Sequence, residues 1–160
     1  MRVFCRSMCC LCCFCLLLLA AAGGARAAGA DTPLLGVQEF DKTLAASKGK
    51  VVLINFFATW CPPCSEEIPG LIKLRQHFPA DRLTIIGASL DEDASLVPPF
   101  VKRMKITYPV FRAQPALPAR YGVRSIPHNV IYGPDGKVVA NVTGIVTEED
   151  LRAFIDKLLQ

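Results

Sequence analysis

A chain of 160 residues that is 52% apolar can bury one ordinary core but not two, so a single domain is expected. Its 18 basic and 14 acidic residues give a net charge of +4, yet Arg2, Arg6 and Arg26 lie in a stretch without acids, so the chain beyond residue 28 carries only about +1. With no Lys/Arg stripe interleaved with aromatics, that balance speaks against a nucleic-acid partner, and the cysteines do not make a disulfide scaffold. Cys5, Cys9, Cys10, Cys12, Cys13 and Cys15 crowd the N-terminus and leave only Cys61 and Cys64 beyond it.

Arg2 and Arg6 precede an apolar run from Met8 to Ala22, and Ala25-Arg26-Ala27 follows as an A-x-A pattern. That is the anatomy of a secretory signal peptide. As a helix the run spans roughly 22 Å, short of the roughly 30 Å hydrocarbon core of a bilayer. Residues 1–28 are therefore read as a signal peptide cleaved near Ala27 or Ala28, with an uncleaved membrane anchor as the alternative. No leader cysteine follows a lipoprotein-like Leu-x-Gly/Ala triplet, and these cysteines behave as small hydrophobes. Residues 29–36 are read as a linker and 37–160 as the folded domain.

Val37, Phe40 and Leu44 mark one face of an opening helix that ends near Lys48-Gly49. Lys50 to Phe57 has the continuous apolar, β-branched character of a strand buried on both faces. A helix is predicted from Pro62 to about Phe78, with Ile68, Leu71, Ile72 and Phe78 inward and Pro69 removing a backbone donor and kinking it. Leu83 to Leu90 reads as the next buried strand. Asp91-Glu92-Asp93 then reads as the solvated acidic first turn of a helix reaching about Lys105, because carboxylates favour the positive helix N-terminus. Tyr108 to Arg112 is a short strand and Ala116 to Tyr121 a short helix. His128 to Tyr132 and Lys137 to Thr143 flank Gly133-Pro134-Asp135-Gly136, where proline presets φ and glycine accepts positive φ, so the two strands form a hairpin. Thr147 caps a closing helix whose apolar face is Leu151, Phe154, Ile155, Leu158 and Leu159. This order predicts an α/β fold, with right-handed crossovers that place helices on both faces of one sheet.

The strand from Lys50 runs directly into Trp60-Cys61-Pro62-Pro63-Cys64, a pair open to three readings. As a staple it closes too short a loop to stabilise much by chain entropy, and it sits at a strand-to-helix junction, where loops commonly carry function. As a metal site it needs a further ligand; His77 falls on a helix surface, so the candidate is a copper or zinc site of Cys61, Cys64 and His128. As a redox centre it needs one cysteine whose thiolate is stabilised. With Cys61 at a helix N-cap, Pro62 takes the first helical position, and Pro63 also lacks an N–H, so the backbone donor left within reach of the Cys61 sulfur is that of Cys64. The Cys61 pKa is then expected below the free value of about 8.5 but well above the most acidic examples, near about 3.5. Cys64, one turn inside the helix, is placed to resolve a mixed disulfide formed at Cys61.

Trp60-Cys61-Pro62-Pro63-Cys64, after a buried strand and before a helix containing Pro69, resembles the active site of the thioredoxin superfamily, and Arg124-Ser125-Ile126-Pro127 resembles its cis-proline loop. Ser65-Glu66-Glu67-Ile68-Pro69, the leader and the extra residues between Lys105 and Leu117 are similar to the TlpA/ResA-like thiol-disulfide oxidoreductases of the bacterial cell envelope. The similarity covers roughly Pro33 to Gln160. It implies a thioredoxin-like three-layer α/β/α fold, with a central mixed sheet, a C-terminal hairpin and a closing helix.

The same resemblance implies the site. Cytoplasmic thioredoxins place a buried aspartate six residues before the first cysteine to handle protons; here that position is Asn55, which does not titrate. Glu67 matches the glutamate that ResA-like proteins place beside the active site, where a partly desolvated carboxylate can shuttle the proton of the resolving thiol; a solvated helix glutamate is the alternative. A cis Pro127 would expose the Ile126 backbone to an extended substrate chain. Trp60 is read as a packing residue that also shapes the surface around Cys61, and His128, where many relatives have threonine, as partly exposed strand. The function implied is an exported protein-disulfide reductase of the bacterial periplasm, soluble or anchored by its N-terminus, acting through a Cys61/Cys64 cycle with no cofactor. Its partners would be protein disulfides or dithiols and a membrane thiol electron donor, with a role in keeping apocytochrome haem-binding cysteines reduced. A disulfide oxidase or isomerase is the alternative within the class, and the metal carrier using His128 the alternative outside it. A peroxidase is disfavoured because the Thr-x-x-Cys setting is missing.

Overall fold

Apolar runs alternate with helix-period segments along the chain, and strands and helices alternate accordingly. The elements are β1 (Leu34–Leu35), α1 (Val37–Ala46), β2 (Val51–Phe57), α2 (Pro62–His77), β3 (Leu83–Ser89), α3 (Val97–Met104), β4 (Val110–Ala113), α4 (Ala116–Arg120), β5 (His128–Tyr132), β6 (Val138–Thr143) and α5 (Glu148–Leu158). The computed structural model describes residues 32–160; the signal-peptide reading of residues 1–28 lies outside them. No helix among the described residues is long and apolar enough to cross a membrane.

The strands form one sheet in the order β1-β4-β3-β2-β5-β6. β2 lies between β3, parallel to it, and β5, antiparallel to it, and all seven of its residues are buried. Its alternation splits the core. Val51 and Leu53 pack beneath α2 and α5 with Leu71, Leu74, Leu151 and Ile155, whereas Val52, Ile54 and Phe56 pack against Phe40 of α1 and Leu117 of α4 on the other face. At the C-terminal end of β2, Phe57 stacks on Phe100 of α3 at 5.7 Å and closes a third cluster around the cysteines. The sheet is thus mixed and covered on both faces, the three-layer arrangement expected from the sequence.

Three details differ from the sequence reading. Leu34–Leu35, assigned to the linker of residues 29–36, is an edge strand parallel to β4, with Leu34 opposite Arg112 and Leu35 opposite Ala113. Two residues carry no periodicity of their own; the unpaired edge of β4 makes them a strand. Asp91-Glu92-Asp93 is not the first turn of a helix: Asp93 caps a single 3-10 turn, Ala94–Leu96, and α3 begins at Val97. In α2 the buried set is Cys64, Glu67, Ile68, Leu71 and Leu74, and Phe78 at its end is buried as expected, but Ile72 is only half-buried.

Candidate active site

Cys61 occupies the N-cap of α2 with an extended backbone, Pro62 and Pro63 fill the first two helical positions, and the N–H of Cys64 donates to Cys61 Sγ at 3.2 Å. The two prolines remove the other nearby donors, so this single bond and the helix dipole are what the Cys61 sulfur receives. Cys61 and Cys64 are joined as a disulfide with a Cα–Cα distance of 5.3 Å, and both are buried among Phe57, Ala58, Ile68 and Phe100. Ile126 packs against that cluster, and the Ile126–Pro127 bond is cis.

One turn beyond Cys64, Glu67 is only 3% exposed, which overturns the solvated-glutamate alternative; Glu66 is exposed, as expected. Glu67 sits over a cross-strand pair, Asn55 of β2 opposite Asn129 of β5. Asn55 Nδ2 donates to Glu67 Oε2 at 2.8 Å, while Asn129 Nδ2 and the Val146 N–H donate to Oε1 at 2.7 and 2.9 Å. Burial pushes the Glu67 pKa up, and the bonds from Val146, Asn129 and Asn55 offset only part of that shift. The carboxyl is thereby poised to take a proton more readily than an exposed glutamate. Asn55 Nδ2 also donates to Asn129 Oδ1 at 2.9 Å, which leaves Asn55 Oδ1 as a buried acceptor without a protein partner. Asn129 escaped the sequence reading, although an asparagine inside an apolar strand is itself the signal, since a buried amide needs partners.

Asp91 is the second residue whose role changes. It is 3% exposed and accepts from the Thr59 N–H at 3.0 Å, the Thr59 hydroxyl at 2.6 Å and the Ser89 hydroxyl at 2.7 Å. It therefore ties the end of β3 to the turn that delivers Trp60 and Cys61. The packing role read for Trp60 does not hold: the residue is 68% exposed. It borders an open cleft of about 380 Å³ whose opposite wall is formed by Val123, Arg124, Ser125 and Ile126.

Residues 28–141 match the AhpC/TSA family. The chain belongs to the AhpC/TSA family. Within it, the chain is 33% identical over 115 residues to the thiol-disulfide oxidoreductase ResA of Bacillus subtilis, covering 71% of this chain and 64% of that protein. Against ResA of Geobacillus thermodenitrificans the identity is 30% over 138 residues, 84% of this chain and 79% of that one. The crystal structure of a thiol:disulfide interchange protein of the thioredoxin family from Chlorobium tepidum matches with a TM-score of 0.68 at 30% identity, over 72% of this chain and 84% of that one. The fold of this AhpC/TSA family member is thus thioredoxin-like.

In this family member His128 is neither partly exposed nor turned toward the cysteines. It is 4% exposed, pairs across the sheet with Phe56 and meets the Phe56 ring edge-on at 6.2 Å, on the face opposite Glu67. Asn141 Nδ2 donates to the Tyr121 carbonyl, so Asn141 Oδ1 is the atom that faces His128 Nε2 and accepts its proton; Nδ1 then accepts from the Thr143 hydroxyl at 2.9 Å. With both ring nitrogens engaged on β6, His128 does not complete a three-ligand site with Cys61 and Cys64. Among the described residues no cluster of three His, Cys, Asp or Glu side chains could hold a metal.

Proposed function

We propose that the chain is an exported thiol-disulfide oxidoreductase that reduces disulfides of envelope proteins. The observation that carries this reading is a cysteine pair at a helix N-terminus, beside a cis-proline loop and one turn from a buried carboxyl of raised pKa. In the reduced enzyme the Cys61 thiolate attacks one sulfur of a substrate disulfide. A Cys61–substrate disulfide forms and the other substrate sulfur leaves as a thiolate. The Cys64 thiol passes its proton to Glu67 and attacks Cys61 Sγ, which expels the second substrate thiolate and closes the Cys61–Cys64 disulfide. Two electrons have moved from the enzyme to the substrate, and a dithiol donor returns them by the reverse sequence.

During the attack the Ile126 backbone pairs with the substrate chain, and the exposed ring of Trp60 covers residues flanking its disulfide. The names of the relatives support thiol-disulfide exchange. The N-terminal charge pattern supports export to the periplasm, and a membrane thiol protein would be the donor. Apocytochrome cysteines are the substrate this reading favours. Cys64→Ser, expressed with its leader, should stall the first intermediate and accumulate mixed disulfides that dithiothreitol releases. Trapping no protein, while Cys61 still reacts with small disulfides, would count against a protein substrate. Titration against glutathione then assigns direction: a potential near the reducing value of about −270 mV supports a reductase, and one near about −120 mV an oxidase.

A further inference from the structure

The loop that carries Ile126 and Pro127 runs from the end of α4 to the start of β5, and hydrogen bonds to β6 and to Gly144, the residue that follows it, fasten both of its ends. At its beginning, Asn141 Nδ2 donates to the Tyr121 carbonyl at 3.2 Å. At its end, the N–H of Gly144 donates to the Pro127 carbonyl at 2.8 Å. Directly after Pro127, the buried His128 ring bridges Asn141 Oδ1 and Thr143 Oγ1, two side chains that β6 presents on the same face. Gly144 reaches Pro127 with φ at +97°, a backbone that a side chain would disfavour.

We propose that β6 is a strap that holds the Ile126–Pro127 loop in its substrate-pairing shape, and that His128 is the positioning residue that joins strap to loop. This rests on the reading of that loop as the substrate-binding edge. The imidazole suits the place because it offers one donor and one acceptor on opposite sides of a flat ring. A threonine side chain is too short to bridge two β6 side chains. β6 is an edge strand, and Asn141 and Thr143 are exposed residues, so their side chains add little to the core. What they add is order in a loop that would otherwise have to be ordered by the substrate.

Pre-ordering acts on binding and not on the thiol chemistry, so its loss should raise KM and spare kcat. The test uses the full chain without its leader, with insulin as the disulfide probe and dithiothreitol as donor, beside single-turnover reaction of the reduced enzyme with hydroxyethyl disulfide. His128→Phe keeps the contact with Phe56 and removes both bridges. Asn141→Ala cuts the strap from an exposed position where folding is not at stake. Each is expected to raise KM for insulin about five- to tenfold, the size of one or two hydrogen bonds, while the hydroxyethyl disulfide rate stays within about twofold. The double variant should lose less than the product of the two singles, because both remove the His128–Asn141 bond they share, and His128→Gln, whose amide again offers a donor and an acceptor, should recover most of the loss. KM values unchanged in both single variants, small-disulfide rates falling in parallel, or effects that multiply in the double variant would overturn the strap alone. A wild-type protein that leaves insulin intact would overturn the exchange reading, and the strap's role with it.

Discussion

Replacing Glu67 by leucine keeps a side chain of similar size and removes both oxygens. Three N–H groups then lose an acceptor: Asn55 Nδ2, Asn129 Nδ2 and the backbone of Val146. Asn55 and Asn129 are each 1% exposed, so water has little access to them, whereas Val146 is half-buried and its N–H can rehydrate. At about 1–3 kcal/mol for each buried donor left unpaired, two such donors cost about 2–6 kcal/mol. Leucine is spared the burial of a carboxylate, the effect that raises the Glu67 pKa, so the net loss at neutral pH falls toward the lower end, about 2–3 kcal/mol.

The raised pKa also sets the sign of the pH dependence. The folded protein holds the Glu67 proton more tightly than the unfolded chain, so this contribution is fully present below the unfolded value of 4.5 and declines as pH rises through the folded pKa. The leucine variant lacks that titration, while every other group titrates in both proteins and cancels in the difference. The stability gap should therefore be widest below the unfolded value and narrow toward neutrality. Urea unfolding of the oxidised proteins, followed by far-UV circular dichroism from about pH 4 to about pH 8, measures both quantities. A loss below about 1 kcal/mol throughout, or a gap that widens as pH rises, would refute the reasoning.

Glu67→Gln keeps an oxygen for Asn129 and Val146 but takes no proton, so single-turnover resolution of the mixed disulfide should slow by about a hundredfold near neutral pH; equal rates at every pH would remove Glu67 from proton transfer. In Cys64→Ser, the rate of Cys61 alkylation against pH should give a midpoint below about 8.5 and well above about 3.5, and a value near about 4 would mean the Cys61 sulfur has donors beyond the single Cys64 N–H. Trp60→Ala, at a 68% exposed position, should change stability by less than about 0.5 kcal/mol while raising KM for insulin, and a large drop in unfolding free energy would restore its packing role. Gly87→Ala places a Cβ 3.0 Å from Val110 Cγ2 and 3.2 Å from Phe57 Cε1, so thermal unfolding should report a loss of about 1–3 kcal/mol.

The sequence by itself determined whatever a few consecutive residues can decide. The apolar run of β2, the Pro-Asp-Gly turn of the hairpin, the Thr147 cap and the placement of Cys61 at a helix start all rest on local sterics, capping and periodicity, and all stand where they were read. The cis bond before Pro127 followed from the resemblance and is present. Tertiary structure decided the rest, because the deciding partners are remote in the chain. Leu34–Leu35 is a strand through the edge of β4, and Asp91 is buried because Thr59 lies 32 residues before it. Glu67 meets Asn55 and Asn129, 12 and 62 residues away, only once the register of β2 and β5 is set. Period-two alternation says that His128 and Asn129 face opposite sides of the sheet, but not which side α2 covers. That choice gives Asn129 to the Glu67 carboxyl, one turn on from Cys64, and His128 to β6.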